Sequence, residues 1–238
     1  MFLTFEDRPS ASPFIERIWR SRSTIGATFY SMAECNIELV VTHLPGLTRV
    51  TLRGPVTKAA VIECPPNGQW LAIRFRLGTY LPKVPTAALL DRSDLQLPLI
   101  SDRRFWFDGA AWEVPTYENA ESLVERLARC GAIAHDWVVS SAITGNPGDR
   151  TLRSVQRHFS RAAGLTYGRI RQIERARRAA EMLRHGTAIL DVVDTTGYSD
   201  QAHLTRSLKQ LIGQTPKKIM RREAQLSFSF KTESFLFG

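Results

Sequence analysis

Moved along itself by 49 positions, the chain pairs VQRHFSRAAGLTYGRI (residues 155–170) with LTRSLKQLIGQTPKKI (residues 204–219). Val155 falls on Leu204, Arg157 on Arg206, Phe159 on Leu208, Gly164 on Gly213, Thr166 on Thr215 and Ile170 on Ile219. One supersecondary unit is therefore built twice, and two copies are too few for a solenoid that stacks its own faces. Between them GRIRQIERARRAAEMLRHG carries Ile173, Ala176, Ala180 and Leu183 at helical spacing. The expected arrangement is two helix-turn-helix units joined by one long helix.

The helix ends are legible. Thr151 is positioned to cap TLRSVQRHFSRAAG, which Gly164 stops; the long helix runs from about Gly168 to Gly186. Thr187 is expected to cap AILDVVDTT up to Gly197, and Ser199 to cap DQAHLTRSLKQLIG up to Gly213. Thr215, with Pro216 at the first helical position, opens TPKKIMRREAQ. Helices this short are marginal alone in water and must pack on one another.

In the first copy Leu152, Val155 and Phe159 share one side, leaving Arg153, Gln156 and Arg157 on the other. In the second Leu204, Leu208 and Leu211 face inward and Gln201, Ala202, His203, Thr205 and Arg206 outward. Arg grips guanine O6 and N7, Gln pairs with adenine N6 and N7, and Ala or a Thr methyl meets the thymine methyl. Carboxylates, which would repel phosphate, are scarce on both faces. Charge agrees with this. Residues 1–150 hold 16 Lys and Arg against 16 Asp and Glu, whereas residues 151–238 hold 16 against 7, so the whole net charge of +9 lies in the last third. Such asymmetry favours a polyanion partner, nucleic acid or an acidic membrane surface.

Residues 28–80 read as strands: TFYSM, NIELVVTHL, TRVTLRGP, KAAVIECPP and WLAIRFRLG are short runs rich in β-branched, aliphatic or aromatic residues, separated by Pro and Gly turns. RFWFDG (residues 104–109) adds one more. From Glu118 the period turns helical, with Leu123, Leu127 and Cys130, and DWVVSSAI follows. The expected fold is α+β. A small N-terminal β-barrel over residues 1–115 crosses through WEVPTY to an all-α region over 116–224, and an apolar tail follows over 225–238.

GYSDQAHLTRSLKQLIGQTP (residues 197–216) and SVQRHFSRAAGLT (residues 154–166) resemble the two helix-turn-helix motifs of AraC/XylS-type bacterial transcription regulators. The first follows that family's GF or GY, a small or acidic residue, QxHFxRxFK and GxTP; the second follows its LQRxFxxxxGxT. The resemblance covers about residues 135–224 and implies two recognition helices in successive major grooves, about 34 Å apart. Base-facing positions carry over to Arg153, Gln156 and Arg157, and to Gln201, Ala202, His203, Thr205 and Arg206. The connection TGNPGDR ahead of the first of these helices is longer than the family's short turn. IELVV, LRGP and IRFRLGTYLP are similar to the cupin-like barrel that precedes such domains, and the barrel is expected to be a sensor or dimerisation domain, with a ligand pocket and a dimer contact both open. Double-stranded DNA is the implied partner, with RNA polymerase, a small-molecule effector and a homodimer left open.

Catalytic classes find little support. A metal-dependent cupin needs several converging His and carboxylate ligands, and the barrel offers His43 alone. GxSxG, the P-loop and GxGxxG are absent. Cys35, Cys64 and Cys130 are scattered, which argues against a disulfide framework and against the four-Cys zinc site of a DNA-repair alkyl acceptor; they are expected to be small buried residues. Arg74 and Arg76 alternate with Ile73 and Phe75 and are expected on a solvated outer face. No cofactor, metal or catalytic residue is expected. With no run of ~18 apolar residues and no basic-then-apolar N-terminus, the chain is expected to be cytoplasmic and free of the membrane. A nonspecific nucleic-acid binder and a barrel enzyme with a basic accessory domain are the alternatives.

Overall fold

The computed structural model describes residues 3–92, 94–145 and 148–222. The tail expected over 225–238 and part of TGNPGDR lie outside these. Thirteen strands and eight helices follow in the described chain: β1 (Leu3–Pro9), β2 (Ile15–Ser23), β3 (Ala27–Ser31), β4 (Glu38–Leu44), β5 (Leu47–Arg53), β6 (Ala60–Cys64), β7 (Gln69–Phe75) and β8 (Thr79–Tyr80). Next come α1 (Thr86–Leu89), β9 (Leu95–Leu97), β10 (Leu99–Ser101), β11 (Arg104–Phe107), β12 (Ala110–Glu113), α2 (Ala120–Arg129) and β13 (Ala134–His135). The rest is helical: α3 (Trp137–Ile143), α4 (Leu152–Ala163), α5 (Tyr167–Arg184), α6 (Ile189–Thr196), α7 (Gln201–Leu211) and α8 (Pro216–Arg221).

Two compact units emerge. The first takes the chain up to Ala27, then Cys35–Pro55 and Pro65–Thr166; the second takes Thr28–Glu34, Val56–Cys64 and the chain from Tyr167. Packing thus divides the helical part between Thr166 and Tyr167, whereas the switch from strands to helices falls near residue 115.

In the first unit an antiparallel sheet runs in the order β1-β2-β7-β4-β5-β9. Ile18, Ile73 and Leu39 sit side by side in register, as do Leu71, Val41 and Val50, and each strand alternates between two faces. This face packs with Leu123, Val124 and Leu127 of α2 and with Phe105, Phe107 and Trp112 of the β10-β11-β12 sheet. β1 and β9 are its edges, so among the described residues the sheet is open and no closed barrel forms.

The β1–β2 hairpin went unread in the sequence because polar residues occupy much of it. Cross-strand ion pairs, Arg17 with Asp7 at 2.6 Å and Arg20 with Glu6 at 2.7 Å, stand where β-branched residues would have signalled a strand. Arg74 corrects the solvated-face expectation: it is 3% exposed and its Nη2 reaches Glu38 Oε1 at 2.9 Å. A charge can be buried when its partner is buried with it. Arg76 is half-buried and donates to the Ile15 carbonyl at 3.0 Å. Cys35 and Cys64 are buried as expected, but Cys130, just past the end of α2, is exposed.

The second unit gathers α5 to α8 with the two-stranded β3–β6 ribbon. Ile170, Ile173, Ala176, Ala180 and Leu183 of α5 are fully buried, as their spacing required, together with Val192, Leu204 and Leu208. No described helix is long and apolar enough to cross a membrane.

Candidate nucleic-acid interface

The repeat holds element by element. α4 begins at Leu152 and α7 at Gln201; α5 begins at Tyr167 and α8 at Pro216, each pair 49 residues apart. Gly164 and Gly213 end the two helices with φ of +65° and +88°, a region that favours glycine.

α4 belongs to the first unit. Thr151 Oγ1 accepts from the Ser154 amide at 3.2 Å, the expected cap. Val155 and Phe159 are buried, whereas Leu152, expected beside them, is 82% exposed. It is the first residue of the helix, which packs against α1, α3 and β8. Arg153, Gln156 and Arg157 are exposed and find no protein partner among the described residues. A network missing from the sequence reading ties α4 to α3. Buried Asp136 caps α3 by accepting from the Val138 amide at 3.1 Å, and its carboxylate receives His158 Nδ1 at 2.8 Å and Arg161 Nη2 at 2.7 Å. Burial works to raise the Asp136 pKa, but the His158 and Arg161 bonds prevail and hold it below its ordinary value. The eight residues between α3 and α4 contrast with four between α6 and α7.

α7 belongs to the second unit. Its cap is Asp200 rather than Ser199: Asp200 Oδ1 accepts from the His203 amide at 2.6 Å, while Ser199 Oγ donates to Asp200 Oδ2 at 3.2 Å. Asp in a β conformation before the helix is as good a cap as Ser, and here the longer carboxylate reaches the orphan amide. Ala188, not Thr187, precedes α6, with no side-chain cap. Thr215 caps α8 as expected.

Tyr198 closes the turn between α6 and α7. Its hydroxyl meets Ser207 Oγ at 2.9 Å, and the Arg175 guanidinium stacks 4.3 Å from its ring centre while donating to the Gly197 carbonyl at 3.2 Å. Leu204, Leu208 and Leu211 are buried; Gln201, Ala202 and Arg206 are exposed. His203 and Thr205 are half-buried and already engaged. His203 stands edge-on to Tyr198 at 5.0 Å with Nδ1 3.1 Å from Ser199 Oγ, and Thr205 Oγ1 donates to the Gln201 carbonyl at 2.8 Å.

Further basic groups are exposed: Arg171 near the start of α5, and Lys217 and Lys218 in the first turn of α8. Residues 150–222 hold 16 Lys and Arg against 5 Asp and Glu, and Glu174 is buried beside Arg177. The field over this segment is positive and suits a phosphate backbone. Among the described residues no group of three or more His, Cys, Asp or Glu could hold a metal ion.

The first unit also has a cavity of about 600 Å³ at one end of its large sheet. Its lining includes Arg20, Arg22, His43, Gln69, Leu71 and Tyr117. Arg20 pairs with Glu6 and stacks 4.4 Å from the Tyr117 ring centre, and His43 Nδ1 is 3.0 Å from Thr48 Oγ1. Arg22 and Gln69 side chains find no protein partner among the described residues.

Residues 150–222 match the family model of a helix-turn-helix domain. No curated protein and no solved structure matches the chain.

Proposed function

Through residues 150–222 the chain belongs to the DNA-binding transcription regulators of the AraC type, and from that premise we propose that α4 and α7 both read base edges, in successive major grooves. The observation that carries this reading is the equivalence of two exposed faces. Arg153, Gln156 and Arg157 on α4, and Gln201, Ala202 and Arg206 on α7, project from helices related by the internal repeat. Arg157 and Arg206 occupy the same repeat position, and Arg is the commonest reader of guanine. Lys217, Lys218 and Arg171 supply the sequence-independent, salt-dependent affinity. His203 and Thr205, held by their own unit, contribute contact surface beside these readers rather than reach.

Modulation through the N-terminal sheet is the second part of the proposal. The cavity lined by Arg22, Gln69 and His43, with Glu6 and Glu118 also in its wall, suits a small strongly polar effector, since the Arg22 guanidinium and the Gln69 amide have no partner among the described residues. RNA polymerase contact and a homodimer are compatible with this layout.

Selection of random duplex DNA by the full-length protein at fixed salt tests the reading. Enrichment of two half-sites about one helical turn apart supports two reading helices. One half-site alone removes α4 or α7 from the reader, and no enrichment reduces the chain to a nonspecific binder.

A further inference from the structure

Both recognition helices are gripped at the same point, and in each case by a segment from the N-terminal half. In the first unit α1 lies against the end of α4. Thr86 Oγ1 donates to the Ala162 carbonyl at 3.2 Å, and a β-carbon on Gly164 would meet the Ala87 nitrogen and the Thr86 carbonyl carbon at 3.0 Å. In the second unit the residues that flank the β3–β6 ribbon, Ala33 after β3 and Ala59 before β6, lie against the end of α7. The Ala33 amide donates to the Leu211 carbonyl at 2.7 Å and the Ala59 amide to the Gln210 carbonyl at 2.9 Å. A β-carbon on Gly213 would stand 2.5 Å from Tyr30 Cδ1.

The last carbonyls of a helix have no intrahelical partner. Here Ala162, Gln210 and Leu211 obtain theirs from residues far away in sequence. Glycine at positions 164 and 213 does two things: it turns the chain out of the helix and leaves room for a foreign segment to close in. The ribbon has further anchors on the long helix. Arg177 Nη1 meets Glu34 Oε1 at 2.6 Å, and Arg169 Nη2 donates to the Thr57 carbonyl at 2.6 Å. The two grips are neighbours in the chain. Gly54 abuts Leu89 of α1 and Pro55 accepts from the Asp91 amide at 3.0 Å, and Val56, the next residue, bridges Glu34 in the ribbon unit.

We propose that α1 and the β3–β6 ribbon are positioning elements of the DNA reader: each holds one recognition helix by its C-terminal end, and the stretch 54–59 carries both grips. The N-terminal half is then more than a sensor tethered to an autonomous reader. It supplies part of each reading unit, and whatever shifts residues 54–59 shifts the pose of α4 and α7 while leaving their base-facing residues in place. Thr86, Glu34, Ala33 and Ala59 act through the helices they hold and need touch no DNA.

This inference rests on the proposed double reader, and its test separates the two. Full-length Thr86→Val and Glu34→Gln are compared with the unaltered protein by duplex selection, by binding to random duplex, and by amide exchange without DNA. One lost hydrogen bond or ion pair corresponds to roughly three- to tenfold. Thr86→Val is expected to relax base preference by that factor only at the half-site read by α4, and Glu34→Gln only at the one read by α7. Random-duplex binding stays within about twofold, since the phosphate-contacting charges are kept. Exchange in the last turn of the affected helix accelerates by a similar factor. Unchanged preference and exchange in both variants would overturn the proposal. So would an equal loss on every DNA, which a merely structural role produces. Absence of any enriched sequence with the unaltered protein sinks the double reader, while the exchange measurement still decides the grips.

Discussion

Asp136→Ala probes how α4, the proposed first reading helix, is set on its support. The side chain is 5% exposed and makes three bonds: one from the Val138 amide as the cap of α3, one from His158 and one from Arg161, both on α4. Loss of a cap costs about 1 kcal/mol. Each remaining bond adds about 0.5–1.5 kcal/mol, with Arg161 at the low end because its side chain is 58% exposed and screened by water. The expected loss is about 2–3 kcal/mol, measured by urea unfolding with the fluorescence of neighbouring Trp137. Asp136→Asn keeps a good cap and removes the charge, so it should lose about 1 kcal/mol less than Ala. The difference between the natural protein and Asp136→Asn depends on pH in a definite direction. Since folding lowers the Asp136 pKa below its ordinary 3.8, the carboxylate's contribution is complete above pH 3.8 and disappears as pH falls through the folded value. Equal losses for Ala and Asn would show that the cap contributes nothing. A loss under about 0.5 kcal/mol for Ala would mean that α4 is fastened by packing alone.

Arg206→Ala should cost about 1–3 kcal/mol on the selected operator and less on random duplex, measured by titration at fixed salt; equal losses would make it a phosphate contact. Leu152→Ser should change stability by no more than about 0.5 kcal/mol, whereas Phe159→Ala, on the same helix and fully buried, should lose about 3–5 kcal/mol in the same unfolding assay. His135 is held below its ordinary pKa of 6.5, chiefly by burial and next by the Arg76 charge, with Asp136 opposing. The folded protein therefore resists the proton that the unfolded chain accepts, so stability is complete above pH 6.5 and declines as pH falls below it toward the folded value. Replacing His135 with Gln should flatten the melting temperature between pH 7.5 and 5; an unchanged slope would assign the decline to other groups.

Features decided by neighbours in the chain were legible. Thr151 and Thr215 cap their helices and Gly164, Gly197 and Gly213 end theirs, because a cap needs only an oxygen within three residues of an orphan amide and a left-handed residue at the stop. Ser199 and Thr187 misled because two polar residues compete at one helix start or the helix opens a residue later, which only the backbone resolves. Leu152 misled because helical period assigns a face and says nothing of whether another element reaches it. Arg74 misled because its partner Glu38 lies 36 residues away and only sheet register brings them together.

The repeat, the carboxylate-poor faces, the charge of the last third and the helix-turn-helix character of residues 150–222 were set by the sequence alone, since each depends on self-similarity of the chain, on spacing within one or two helical turns or on composition. Tertiary structure decided the rest. It left the sheet open, engaged His203 and Thr205 within their own unit, and brought Ala33, just past TFYSM, and Ala59 of KAAVIECPP, plain strands by pattern, to the end of α7. Backbone groups carry those last contacts, and a backbone amide is the same at every residue but proline. No side-chain pattern can announce where it will be used.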